Sequence, residues 1–310
     1  MKTLYLPKKL NILLIIFLGL LFLEFGTKNE TNNAVKDSEL VTKEIISDKS
    51  NNLNISIFLD LSDRISVKKY PSPTMEYFQR DIGYINSIAK SFEKHVKSKK
   101  VIHINDRMQI FFDPNPLDSK INTISNSLKI NFDRKNVTKA KLGNVSIDYK
   151  KKTSQIYSLA INDGKYIGSD IWGFFKNKLE DRCIQKNQRN ILIILTDGYM
   201  YYQNNKIDEG NSSNYITPQK IKNLGLTKSN WKQIMSKNKI SILSTGKNFS
   251  NLEVLVLGLN PDTKNVYELE VMNELWSNWF NKMGIKKYKI KTADLPSDMD
   301  QIITDFISSK

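Results

Sequence analysis

Two apolar runs that each end in aspartate constrain this chain more than any other feature. Asn54-Ile55-Ser56-Ile57-Phe58-Leu59 runs into Asp60, and Asn190-Ile191-Leu192-Ile193-Ile194-Leu195-Thr196 runs into Asp197-Gly198. Short runs rich in Ile and Leu that end in a carboxylate read as buried strands, as in parallel sheets. The carboxyl ends of such strands are where open α/β sheets take their ligands, so Asp60 and Asp197 are candidates for one shared site.

The segments around these runs fit the same architecture. Ser72 and Pro73 form a helix-start signal, and Phe78, Ile82, Ile85, Ala89, Phe92 and Val96 follow at helical spacing. Val101–Ile104 and Arg107–Phe112 read as strands around the turn-forming pair Asn105-Asp106. Ile121, Ile124 and Leu128 suit a helix, whereas 139–152 is basic and without clear period. Tyr199–Gln203 and Lys206–Asp208 read as a small hairpin around Asn204-Asn205. Leu252–Leu257 is a third buried strand. Leu269, Met272, Trp276, Trp279 and Met283 form a helical face stopped by Gly284, 287–291 reads as a strand, and a last helix starts near Pro296. Strands alternating with helices predict an α/β domain over 53–310, with a mostly parallel central sheet flanked by helices and irregular insertions near 115–165 and 203–250.

The first 52 residues read differently. Lys8 and Lys9 precede an apolar run from Leu10 to Phe25, which is shorter than the roughly 20 residues of a membrane span. Residues 1–26 are therefore expected to be a signal peptide or signal anchor, cleaved or retained, and 27–52 a polar linker. This implies a bacterial envelope or periplasmic location, with the membrane reached through residues 10–25 if they are kept.

Composition narrows the chemistry. The 310 residues contain one Cys and two His, which excludes a disulfide framework, Cys-rich metal sites and multi-histidine centres. Cys183 reads as a small buried hydrophobe, His95 as solvated and His103 as structural. The net charge of +15 attracts anions, but Lys is scattered and no nucleic-acid motif accompanies it. Neither a P-loop nor a Ser-His-Asp arrangement can be assembled.

Three pieces carry the candidate chemistry: Asp60-Leu61-Ser62-Asp63-Arg64-Ile65-Ser66, Gly168-Ser169-Asp170-Ile171 and Leu195-Thr196-Asp197-Gly198. Two carboxylates with hydroxyls between them suit a hard divalent cation that keeps open positions. Here the sequence resembles the von Willebrand factor type A (VWA) domain, whose metal-ion-dependent adhesion site uses D-x-S-x-S after the first strand, a Thr in a later loop and an Asp after a middle strand. Asp60 and Ser62 match the first motif, Ser169 stands where the loop Thr is expected, and Asp197 matches the third.

The resemblance implies a VWA/Rossmann-like fold with Mg2+ or Mn2+ at Asp60, Ser62, Ser169 and Asp197. It also implies a binding module for a protein partner rather than an enzyme, with no small-molecule substrate. Arg64 departs from the pattern, standing where the last Ser belongs. Its guanidinium either points away from a cation, is balanced by Asp63, or replaces the cation by bridging Asp60 and Asp197. Arg64, Tyr199 and Tyr201 are candidates for partner contact, although the tyrosines equally suit hairpin packing. The alternatives are a metal-assisted hydrolase or phosphoryl-transfer enzyme using Asp60, and a metal-free scaffold.

Overall fold

The first apolar run is strand β1 (Leu53–Leu59), and all of its residues are buried. The computed structural model describes residues 51–309 except Ile167. The expected signal or anchor at 1–26 and the linker as far as residue 50 lie outside the described residues. No helix among the described residues is long and apolar enough to cross a membrane.

After β1, Asp63–Ile65 forms one 3-10 turn, and α1 spans Tyr77–Lys97. The helix does not begin at Ser72. Glu76 is its cap, in a reciprocal capping box with Gln79, and Ser72 instead accepts a hydrogen bond from Arg80. Val101–His103, expected as a strand, is a 3-10 turn, so His103 lies there. The predicted turn pair Asn105-Asp106 instead opens strand β2 (Asn105–Phe111). Asp106 is tied to the Leu53 backbone N–H at 2.7 Å and to Lys99 at 2.7 Å, which fixes the pair inside the sheet.

The stretch expected to be irregular is mostly regular. It holds α2 (Ser119–Ser127), the short strand β3 (Ile130–Asp133), α3 (Lys139–Gly143) and α4 (Val145–Asp163). Then come α5 (Ile171–Asn177), α6 (Leu179–Cys183) and the second apolar run as β4 (Arg189–Leu195).

Residues 199–208 do not form the expected hairpin. Met200 bridges Ile216, Tyr201 bridges Ser169, and the small sheet is built from β5 (Asp208–Glu209), β6 (Ser212–Ser213) and, beyond α7 (Pro218–Asn223) and α8 (Trp231–Lys237), β7 (Ser241–Ile242). The chain closes with β8 (Leu252–Leu259), α9 (Glu268–Lys282), β9 (Lys287–Thr292) and α10 (Pro296–Ser308).

The main sheet has six strands in the order β3-β2-β1-β4-β8-β9. All pairs are parallel except β2 with β3. Strand alternation divides the core. Ile55, Ile57, Leu59, Ile191, Ile193 and Leu195 pack with α1, α4 and α10 on one face. Phe58, Leu192, Ile194, Val254 and Val256 pack with α5, α8 and α9 on the other. Burying each such side chain contributes about 1.5–3 kcal/mol. Cys183 is buried in the second core, as expected, and burial pushes its thiol up to about 12.

This order positions the site. From β1 the chain works outward to β2 and β3, then returns to place β4 on the opposite side of β1. The reversal leaves a crevice between the carboxyl ends of β1 and β4, where Asp60 and Asp197 follow directly.

Candidate functional site

Asp60 continues the ladder beyond β1, because its N–H donates to Leu195 O at 3.0 Å. Its carboxylate is thereby held at the edge of the sheet, and only 3% of the residue is exposed. Oδ1 accepts the Ser62 N–H at 2.9 Å, and Oδ2 accepts the Thr196 hydroxyl at 2.9 Å. Thr196 in turn accepts the Gly198 N–H at 3.2 Å, so one hydroxyl joins the two strand ends. The backbone is close here: a Cβ on Gly258, which has φ +104°, would lie 2.9 Å from Thr196 O. Asp197 is partly exposed and accepts the Tyr199 N–H at 3.0 Å.

Asp60, Ser62, Ser169 and Asp197 line one pocket of about 160 Å³. Its rim includes Tyr70, Tyr199, Tyr201 and Thr217. Ser62 makes no capping hydrogen bond to the turn it precedes. Ser169 does not cap α5; Asp170 does so, accepting the Gly173 N–H at 2.8 Å.

Arg64 lies beneath this pocket and does not line it. The 3-10 turn carries its side chain inward, leaving it 5% exposed. Nε donates to Asp60 O at 3.0 Å and lies 3.7 Å from Asp60 Oδ2. Nη2 donates to Leu195 O at 3.0 Å and to Asp81 Oδ2 at 2.5 Å. The Tyr157 hydroxyl also donates to Asp81 Oδ2, at 2.8 Å.

The guanidinium therefore joins Asp60 to Asp81 on α1, not to Asp197, and its burial removes it from partner contact. Asp63 does not balance it either, because Asp63 pairs with Lys69 at 3.0 Å. Burial opposes the charge of Arg64, but Asp81 and Asp60 outweigh it and raise its pKa. Burial pushes the Asp81 carboxyl up, against the opposing pull of Arg64 and Tyr157.

Counting formal charges, one guanidinium serves three carboxylates, Asp81, Asp60 and Asp197, and offsets Asp197 only in part. Asp197 shows the result. Burial first, and then the neighbouring Asp60 charge, push its carboxyl up to about 7. A small pocket lined by Asp60, Asp197 and the Lys69-paired Asp63, with the hydroxyls of Ser62, Ser169 and Thr217, carries excess negative charge and fits a hard divalent cation. The donor set is mixed: among the described residues no group of three or more His, Cys, Asp or Glu could hold a metal ion.

The two candidate tyrosines differ. The Tyr199 hydroxyl donates to Glu268 Oε1 at 2.8 Å and accepts the Asp262 N–H at 2.9 Å. Glu268 is 1% exposed and also held by Asn265 at 2.6 Å, so Tyr199 is anchored internally. Tyr201 is 45% exposed, with its ring 5.2 Å from Tyr215. His95, read as solvated, has its Nε2 buried, 3.3 Å from Asp106 Oδ1.

Asp81 is the residue that sequence reading missed. Its signal was a carboxylate three positions after Phe78, on the apolar stripe of α1, where a charge needs a buried partner. Thr196 was visible only as the neighbour of Asp197.

No protein-family model matches the chain, and no curated protein matches it. Among solved structures it is similar to the pilus adhesin SpaC from Lactobacillus rhamnosus GG, with a TM-score of 0.38 and 13% identity. That similarity covers 83% of this chain and 30% of the adhesin, so the chain spans less than a third of the adhesin's length. What stands is an α/β protein whose six-stranded, mostly parallel sheet carries a carboxylate-lined pocket at its head.

Proposed function

We propose that this chain is an exported, envelope-associated binding module of the von Willebrand A type, engaging a protein partner at the carboxyl edge of its sheet. One observation carries the reading. The aspartates that end β1 and β4 meet at the strand-order reversal, in a single pocket that also holds Ser62 and Ser169. Asp60, Ser62, Ser169 and Asp197 would hold Mg2+ or Mn2+. The ion would supply a Lewis-acidic point for a partner's carboxylate.

The chain's own residues prepare that point. Thr196 and the Ser62 N–H fix the Asp60 carboxylate, and Arg64 holds the Asp60 backbone carbonyl from below without entering the pocket. Arg64 thus takes the sequence position of a family ligand but not the cation's place. Tyr201, exposed at the rim, offers the partner an aromatic surface. Delivery to the envelope belongs to residues 10–25, through a signal peptide or retained anchor.

Titration of Mn2+ into the full-length chain, followed by the loss of the free-ion electron paramagnetic resonance signal, tests the reading. The wild type binds the ion and Asp60→Ala does not. Equal binding by both proteins contradicts the site.

A further inference from the structure

A second, independent cavity lies on the flank of the sheet. Alternation along β2 turns Met108 and Ile110 into the core beneath α1 and α4, and turns Arg107, Gln109 and Phe111 to the opposite face. On that face α5 and α6 cover β1: the Phe174 ring packs at a tilt against Phe58 with centroids 4.9 Å apart, and Asn54 donates to Cys183 O at 2.7 Å. Beyond β1 a groove of about 710 Å³ opens over β2 and β3.

Its lining is mostly polar, with Ile110, Phe111 and Phe112 as its apolar members. Arg107 and Gln109 form the floor with Asn131 of β3, while Asn126 and Lys129 stand on one wall and Arg182 on the other. Arg107 Nη1 bonds Gln185 at 2.7 Å, which fixes the guanidinium plane. Its Nε is buried and has no partner. Gln109 is likewise positioned, donating to Arg182 O at 3.2 Å. Asn126, Lys129, Asn131 and Arg182 are exposed. Three cations face one lining carboxylate, Asp181.

We infer that this groove binds an acidic oligosaccharide. Planar amides and guanidinium groups match the paired hydroxyls and carboxylates of uronic acid units, where each donor or acceptor is used bidentately. The half-buried ring of Phe111 offers a surface for the apolar face of one sugar. A predominantly polar lining with only three apolar residues suits a sugar better than a purely apolar ligand. The positive lining selects carboxylated over neutral sugars. The groove shares no lining residue with the carboxylate pocket, so the inference stands apart from the function proposed above.

Calorimetric titration of the full-length chain with tetragalacturonate, in EDTA so that no metal takes part, tests it. Maltotetraose serves as the neutral control. The wild type is expected to bind tetragalacturonate, and maltotetraose about tenfold more weakly or not at all. Lys129→Ala/Arg182→Ala, at two exposed positions, is expected to weaken tetragalacturonate binding by about tenfold or more. Lys150→Ala/Lys151→Ala, which removes the same charge from a different groove between α1 and α4, is expected to leave it unchanged. Absence of binding by the wild type, equal binding of maltotetraose, or equal loss in both double variants would overturn the inference. The last result would show diffuse attraction to a basic surface.

Discussion

The two aspartates at the head of the sheet follow neighbouring strands but live in opposite circumstances. Asp60 has both carboxylate oxygens occupied, by Ser62 and Thr196, and a guanidinium against its backbone. The Asp197 carboxylate accepts one hydrogen bond, from Tyr199 N–H, and the residue is partly exposed. The β1 end is built as a fixed support tied through Arg64 to α1. The β4 end keeps unused acceptor capacity and excess negative charge. A pocket of like charges can persist because one carboxylate is held by donors while the other can take up a proton.

The strongest way to break this contrast is to loosen the support. Arg64→Met leaves Asp60 and Asp81 buried without their cation and is expected to cost about 3–5 kcal/mol in urea unfolding, most of it recovered in Arg64→Met/Asp81→Leu. A loss below about 1 kcal/mol would place the pair with ordinary surface ion pairs and dissolve the contrast. Cutting the link between the two ends is the next test. Thr196→Val leaves Asp60 Oδ2 and the Gly198 N–H each without a partner, and the same assay is expected to show a loss of about 1–3 kcal/mol.

Acidity addresses the β4 end. The folded-state carboxyl of Asp197 lies near 7, above the ordinary 3.8. The folded protein therefore binds this proton more tightly than the unfolded chain does. Its contribution to stability is full below about pH 4, falls as pH rises, and levels off above about pH 7. Asp197→Asn is expected to remove this fall, which urea midpoints at pH 5 and pH 8 would show. A pH profile unchanged by the substitution would assign the raised acidity elsewhere.

The smallest effect belongs to the rim. Tyr201→Ala is expected to stay within about 0.5 kcal/mol of the wild type. Tyr199→Phe, which strips a hydroxyl from buried Glu268, is expected to lose about 1–3 kcal/mol. Thermal unfolding of the two variants side by side separates surface from anchor.

The sequence was legible where burial is symmetrical. β1, β4 and β8 declare themselves by short Ile-, Leu- and Val-rich runs, and α9 and α10 by a single apolar face. It was less legible where one face is solvated. α4 carries its core stripe through Val145, Tyr149, Ile156 and Tyr157, but Lys150, Lys151 and Lys152 between them obscure the period. β3 is four residues long and antiparallel, too short to show alternation.

At the site, the strand-end aspartates pointed to Asp60 and Asp197 and the VWA-like motif to Ser62 and Ser169; all four line one pocket. The direction of Arg64 was not readable, because it depends on Asp81, a partner on another element. A residue beside a motif looks like part of its chemistry until the buried charge that claims it is known.

The central claim, that the β4 end is open to a cation which the β1 end is locked to support, is tested most directly by thermal unfolding of the full-length chain at pH 8. The melt is run in EDTA, then with Mg2+ or Mn2+, for the wild type and for Asp197→Asn. A ligand that binds only the folded state raises its melting temperature by mass action. The account predicts a higher Tm with either ion for the wild type, a smaller rise at pH 5.5 where Asp197 holds its proton, and none for Asp197→Asn. Identical melting with EDTA and with both ions would contradict it, leaving the buried Arg64 as the only cation this site uses.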